Sequence, residues 1–263
     1  MLPTERAAGF FFVSGFAPFA RNRLEIPLPE ADRPATVFAT VVDGTEVLSG
    51  EWRAMLRSAA RWLGHGEVGR AAALLEAAHA IAPERPEILL ALGRLRSRQG
   101  QYAEAETLLR EAWRRGRRPV AACALARLLA RDLARPHDAE VLLREALEVE
   151  VECAPIWAAR GEVAILGHDV DLARTCFERA LRIEPALLPA RVGLARALAA
   201  EAFGHLGRGE PSRALFLLAR ARNLDPGWSV PSHLMASAFE RLGCAQRAGR
   251  ERRCAARLEQ RLN

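Results

Sequence analysis

The sequence contains no lysine, so all 38 of its basic residues are arginine. That absence excludes Schiff-base and other lysine chemistry within the chain. Cysteine is scarce: Cys123, Cys153, Cys176, Cys244 and Cys254 are odd in number, widely spread and without a C-x-x-C pair. They read as small buried thiols, not as a disulfide framework or a zinc site. No run approaches the roughly 18 to 20 consecutive apolar residues of a membrane-spanning helix. G-x-S-x-G, P-loop and dinucleotide fingerprints are also missing. The six histidines, at 65, 79, 137, 168, 205 and 233, show neither H-E-x-x-H nor another metal spacing. Asp169 and Asp171 fall short of a calcium loop and sit where a helix begins, which suits N-capping. No catalytic residue, cofactor or metal is predicted, and the chain is not expected to be an enzyme.

What is present is an ordinary globular composition: 263 residues, 50% hydrophobic and 27% charged. That is enough for one large or two small domains. The net charge is +6 and the pI near 9.8. A lysine-free, Arg- and Ala-rich composition is what GC-rich coding produces, so the basicity is weak evidence for nucleic acid, and nucleic acid is disfavoured as the main partner.

Internal repetition organises most of the chain. "LLEAAHAIAPERP", "CFERALRIEPALLP" and "LLARARNLDPGWSVP" share an alanine-bearing helix end followed by an apolar residue and proline. Relative to Pro83, Pro185 and Pro226, small residues recur at Ala71, Ala173 and Ala214 and again at Ala78, Ala180 and Ala221. Leu75, Phe177 and Leu218 fill the larger position between them. A 34-residue frame gives units at 52–85, 86–119, 120–153 and 154–187, a longer unit at 188–228, and a last at 229–263. Gly93 or Gly161, with Ala105 or Ala173, would allow close helix approach, and Leu109 or Phe177 would fill the space. Proline ends the second helix because it lacks the N–H to continue the ladder.

These residues resemble the tetratricopeptide repeat, and the likeness covers roughly residues 52 to 263. The resemblance implies an all-α fold, a right-handed α–α superhelix of about six helix–turn–helix repeats with a concave face lined mainly by the first helix of each pair. The third unit departs from the pattern, with Ala126-Arg127 for Leu-Gly, Ala134 for the turn glycine and Val151 for the terminal proline; its second helix is expected to run on toward Glu152. The fifth unit carries seven extra residues, nearly two turns, which lengthens its first helix and places Phe203 and His205 on a projecting edge. In the last unit Arg247, Arg250, Arg252, Arg253, Arg257 and Arg261 fall within fifteen residues, a solvated capping face or an acidic docking surface.

The resemblance places a ligand on the first helices. The positions so implied are Leu56, Leu90, Arg94, Arg98, Leu128, Arg131, Glu162, Ile165, Arg196 and His233. Leu56 and Ala60 stand where the carboxylate clamp of chaperone-binding relatives needs Lys and Asn, so that role is disfavoured. An apolar floor with scattered arginines suits an acidic or amphipathic peptide.

Residues 1–51 break the helical period and form an extension. Phe10, Phe11, Phe12, Phe16 and Phe19 crowd into its first part, and "ATVFATVVDGTEVLSGE" alternates around Asp43-Gly44 like a small β-hairpin. The phenylalanines are expected either to cover the chain's own repeats or to anchor in a partner. Glu5, Ser14 and Pro18 count against a signal peptide, so a cytoplasmic location is expected, or a periplasmic one if residues 1–20 act as a signal. The expectation is a bacterial protein-binding scaffold, an accessory or assembly subunit of a larger complex. A chaperone-like holder of a client peptide and an RNA-binding helical repeat are the competing readings. The partner and the oligomeric state are left open.

Overall fold

The structure, a computed structural model, describes residues 10–11, 24–25 and 51–261. The chain divides into two compact units, Met1–Gly116 and Arg117–Asn263.

In the first unit α1 (Glu51–Gly64) pairs with α2 (Val68–Ile81), and α3 (Pro86–Arg98) with α4 (Tyr102–Gly116). A short ladder joins β1 (Phe10–Phe11) antiparallel to β2 (Leu24–Glu25), with Phe10 opposite Glu25, and β1 lies against α1. The hairpin expected around Asp43-Gly44 lies outside the described residues, as do Phe12, Phe16 and Phe19. The core joins Trp52, Met55 and Ala59 of α1 to Ala71, Leu75 and Ala78 of α2 and to Ile88, Leu92 and Leu95 of α3. Arg53 and Arg85 both stack on the Trp52 ring, at 4.8 and 5.4 Å.

The second unit holds α5 (Pro119–Arg127), which continues as a π-helical turn (Leu128–Asp132), and α6 (Pro136–Val149). Then come α7 (Ala154–Leu166), α8 (Val170–Ile183), α9 (Leu188–Gly207), α10 (Pro211–Leu224), α11 (Val230–Arg241) and α12 (Ala245–Gln260). Within each unit the described helices form helix–turn–helix pairs, an all-α helical-repeat fold apart from the short β1–β2 ladder.

Each pair turns at a residue with positive φ: Gly66, Gly100, Ala134, His168, Gly209 and Gly243. Successive turns are 34 residues apart except between His168 and Gly209, and the seven-residue insertion there falls wholly within α9, whose 20 residues make it the longest helix described. Close approach explains the small residues. A Cβ on Gly93 would come within 2.7 Å of Leu109, one on Gly161 within 2.8 Å of the Phe177 ring, and one on Gly193 within 2.3 Å of the same ring.

Proline acts at both ends of helices. Pro83, Pro185 and Pro226 follow α2, α8 and α10 by two residues, and a proline opens α3, α5, α6, α7, α9, α10 and α11 within the first two positions. There it costs no hydrogen bond, because the first-turn N–H groups have no helical acceptor. The expected extension of the third unit's second helix toward Glu152 is not seen: α6 stops at Val149 without a proline. The indole N–H of Trp157 donates to the Val151 carbonyl at 3.0 Å, at the place that Pro83 and Pro185 hold in the first and fourth repeats. Asp169 caps α8, its Oδ1 accepting from the Leu172 N–H at 3.0 Å.

Candidate protein-binding face

The first helices of the pairs carry the residues in question. In the first unit Leu56 and Leu90 are half-buried, while Arg94 and Arg98 are exposed on α3. The arginine between them, Arg96, is fixed by Glu76 at 2.8 Å and Glu104 at 3.2 Å, which ties α3 to its neighbours α2 and α4. The floor here is apolar and its rim basic.

In the second unit the structure gathers charge around one carboxylate. Glu162, in the middle of α7, is only 7% exposed. Burial pushes its carboxyl up to about 7, against the opposing pull of Arg127, Arg196 and Arg131. Arg127 stands at the end of α5, Arg131 in the π-helical turn after it, and Arg196 on α9, so three successive first helices converge. Arg127 Nε lies 3.4 Å from Glu162 Oε2, but neither atom has a hydrogen-bond partner among the described residues. Without that alignment the Coulombic attraction is too weak to offset the loss of hydration. Arg196 is itself half-buried, and burial lowers its pKa against the influence of Asp225 and Glu162. Arg131 is exposed. Ile165 lies half-buried one turn along α7.

Four further positions complete the set. Leu128 is 2% exposed and belongs to the core, as does Glu162 at the equivalent place 34 residues on, which is 7% exposed. His233 is exposed but engaged, its Nε2 2.8 Å from Glu259 Oε1. His205, on the lengthened α9, is held by Glu210 at 2.6 Å, whereas Phe203 is 66% exposed. Of the phenylalanine cluster, Phe10 and Phe11 form β1.

Arg127 escaped the sequence reading. Its signal was the departure from Leu-Gly at Ala126-Arg127: an arginine at the position held by Gly93 and Gly161 in the adjacent units. The side chain that replaces the small residue reaches Glu162 on the next first helix.

The tetratricopeptide-repeat family model matches residues 63–130, about a quarter of the chain. Residues 63–130 thus carry the tetratricopeptide-repeat signature. No curated protein sequence matches the chain. Among solved structures it is similar to a thermophilic tetratricopeptide-repeat protein of Thermus thermophilus, at 24% identity over 72% of this chain and 98% of that one, with a TM-score of 0.53. PilF of Pseudomonas aeruginosa aligns over 78% of this chain and 90% of its own, at 17% identity and a TM-score of 0.62. The MamA protein aligns over 68% and 93%, at 16% identity and a TM-score of 0.52. At these identities the likeness speaks for the fold. Among the described residues no helix is long and apolar enough to cross a membrane.

Proposed function

We propose that the chain is a non-catalytic protein-binding scaffold, an accessory or assembly subunit of a larger bacterial complex. It holds an acidic or amphipathic segment of a partner on the first helices of its repeats. The observation that carries this reading is the convergence of Arg127, Arg131 and Arg196, from the first helices of the second unit, on the buried Glu162. Arginine can pair a partner's carboxylate through two parallel N–H bonds while its stem covers apolar surface. Ile165 supplies apolar surface on the same helix as Glu162.

Affinity purification of the tagged chain from its native host, followed by size-exclusion chromatography, tests the proposal. The expected result is a protein partner that co-elutes at fixed stoichiometry and is lost from R131E and R196E variants that remain folded. A chain that emerges alone, or that carries only nuclease-sensitive RNA, would overturn it.

A further inference from the structure

On α12 both acidic side chains face neighbouring helices, while a subset of the arginines does not. Its two carboxylates turn toward neighbouring helices: Glu251 pairs with Arg222 of α10 at 3.2 Å and Glu259 with His233 of α11 at 2.8 Å. Arg252 pairs with Glu240 of α11, and Arg247 lies 5.8 Å above the Phe239 ring. Ala248 and Ala255 form the buried side. The remaining arginines, Arg250, Arg253, Arg257 and Arg261, are exposed and meet no carboxylate among the described residues.

Their spacing of three, four and four residues puts all four within an arc of about 80° on a helix of 3.6 residues per turn. That arc lies roughly opposite Ala248 and Ala255, so it faces solvent. At about 1.5 Å per residue the stripe is about 16 Å long, with successive guanidinium stems about 4.5 to 6 Å apart along the axis. The arc contains no carboxylate, and its other member is Gln246.

We propose that this stripe is a second docking surface, separate from the face around Glu162, and that its partner is an acidic polypeptide segment. Three arguments select that occupant. Carboxylates at alternate positions of an extended chain lie about 6.8 Å apart, and those at i and i+4 of a helix about 6 Å, both within reach of the arginine spacing. Each guanidinium offers a planar fork that matches a carboxylate. Other polyanions fit less well: the arc has no aromatic ring on which a base could stack, and no large apolar residue of the kind that seats a helix in a lipid surface.

The test measures binding of a fluorescein-labelled oligoglutamate peptide by anisotropy at about 0.15 M salt. Two competitors are compared with it, a single-stranded oligonucleotide of equal charge and vesicles containing anionic lipid. The R250E/R253E/R257E variant should lose at least about tenfold in affinity, and the R250Q/R253Q/R257Q variant should lose most of the same binding without inverted charge. A control with equal charge change elsewhere, R57E/R61E/R182E, should lose less than about threefold. The stripe variants should still co-purify with the partner held by the proposed face on α5, α7 and α9, which keeps the two surfaces distinct. Equal losses in stripe and control variants, or tighter binding of the oligonucleotide or vesicles than of the peptide, would overturn the proposal. Melting curves of each variant establish that it is folded, and the glutamine variant decides the matter if the glutamate variant is not.

Discussion

Glu162 Oε2 stands 3.4 Å from Arg127 Nε, both atoms buried and neither hydrogen-bonded among the described residues. An ion pair in this condition retains its Coulombic attraction but lacks the directional bond that normally offsets burial. The consequence is a carboxyl that holds its proton far above the usual carboxylate range, to about 7.

Stability should therefore depend on pH through this one group. Its folded pKa is raised, so its contribution is fully present below about 4.5, the ordinary value, and is lost as pH rises through about 7. The loss is at most about 3 kcal/mol, from about 1.4 kcal/mol per unit. Thermal melts of the parent and of E162Q between pH 5 and 8 check this. The difference between them should grow in favour of the variant as pH rises, and a constant difference would contradict the assignment.

Gly193 should not tolerate a methyl group. Its Cβ would sit 2.3 Å from the Phe177 ring, which is itself 1% exposed. G193A gains about 1 kcal/mol in helix propensity, but overpacking should outweigh that and leave a net destabilisation of about 1 to 3 kcal/mol. Adding F177L to G193A should recover part of the loss, a non-additivity that denaturant titration of the two single variants and the double variant would measure.

Ala134 occupies a turn position with φ of 52°, where the equivalent residues Gly66, Gly100, Gly209 and Gly243 carry no side chain. A134G should stabilise the protein by about 0.5 to 1 kcal/mol, since the relief of left-handed strain exceeds the entropy that glycine adds to the unfolded chain. A rise in melting temperature at unchanged helical content is the expected reading.

Arg160 of α7 grips Glu140 of α6 with Nε at 2.9 and 3.1 Å and Nη2 at 2.6 Å, with both side chains mostly buried. The hydrogen bonds to Glu140 raise the Arg160 pKa despite burial. R160A should cost about 1 to 3 kcal/mol, and R160K should recover little of it because lysine cannot form the fork. A double-mutant cycle with E140A isolates the pair.

Much of this architecture is legible from residue size. The recurrence of Ala71, Ala173 and Ala214, with Leu75, Phe177 and Leu218 after them, marks buried helix faces, since a solenoid uses the same packing solution in each unit. The charged centre was only half legible. Glu162, Arg131 and Arg196 fall at positions that the family resemblance implies, but the burial of Glu162 depends on helices brought beside it by folding. The π-helical turn that begins at Leu128 was not legible, because it inserts backbone that residue spacing does not reveal. Arg127 shows the opposite case, where the break in the repeat pattern was the signal and its meaning required the neighbouring helix.

Phe177 touches glycines on two different helices, Gly161 of α7 and Gly193 of α9. Those helices carry Glu162 and Arg196, each next to or one turn from its glycine. One aromatic ring thus acts as a spacer that sets the gap between the two charges. The separation of Glu162 and Arg196 is therefore a consequence of ring size, set by a side chain that carries no charge itself.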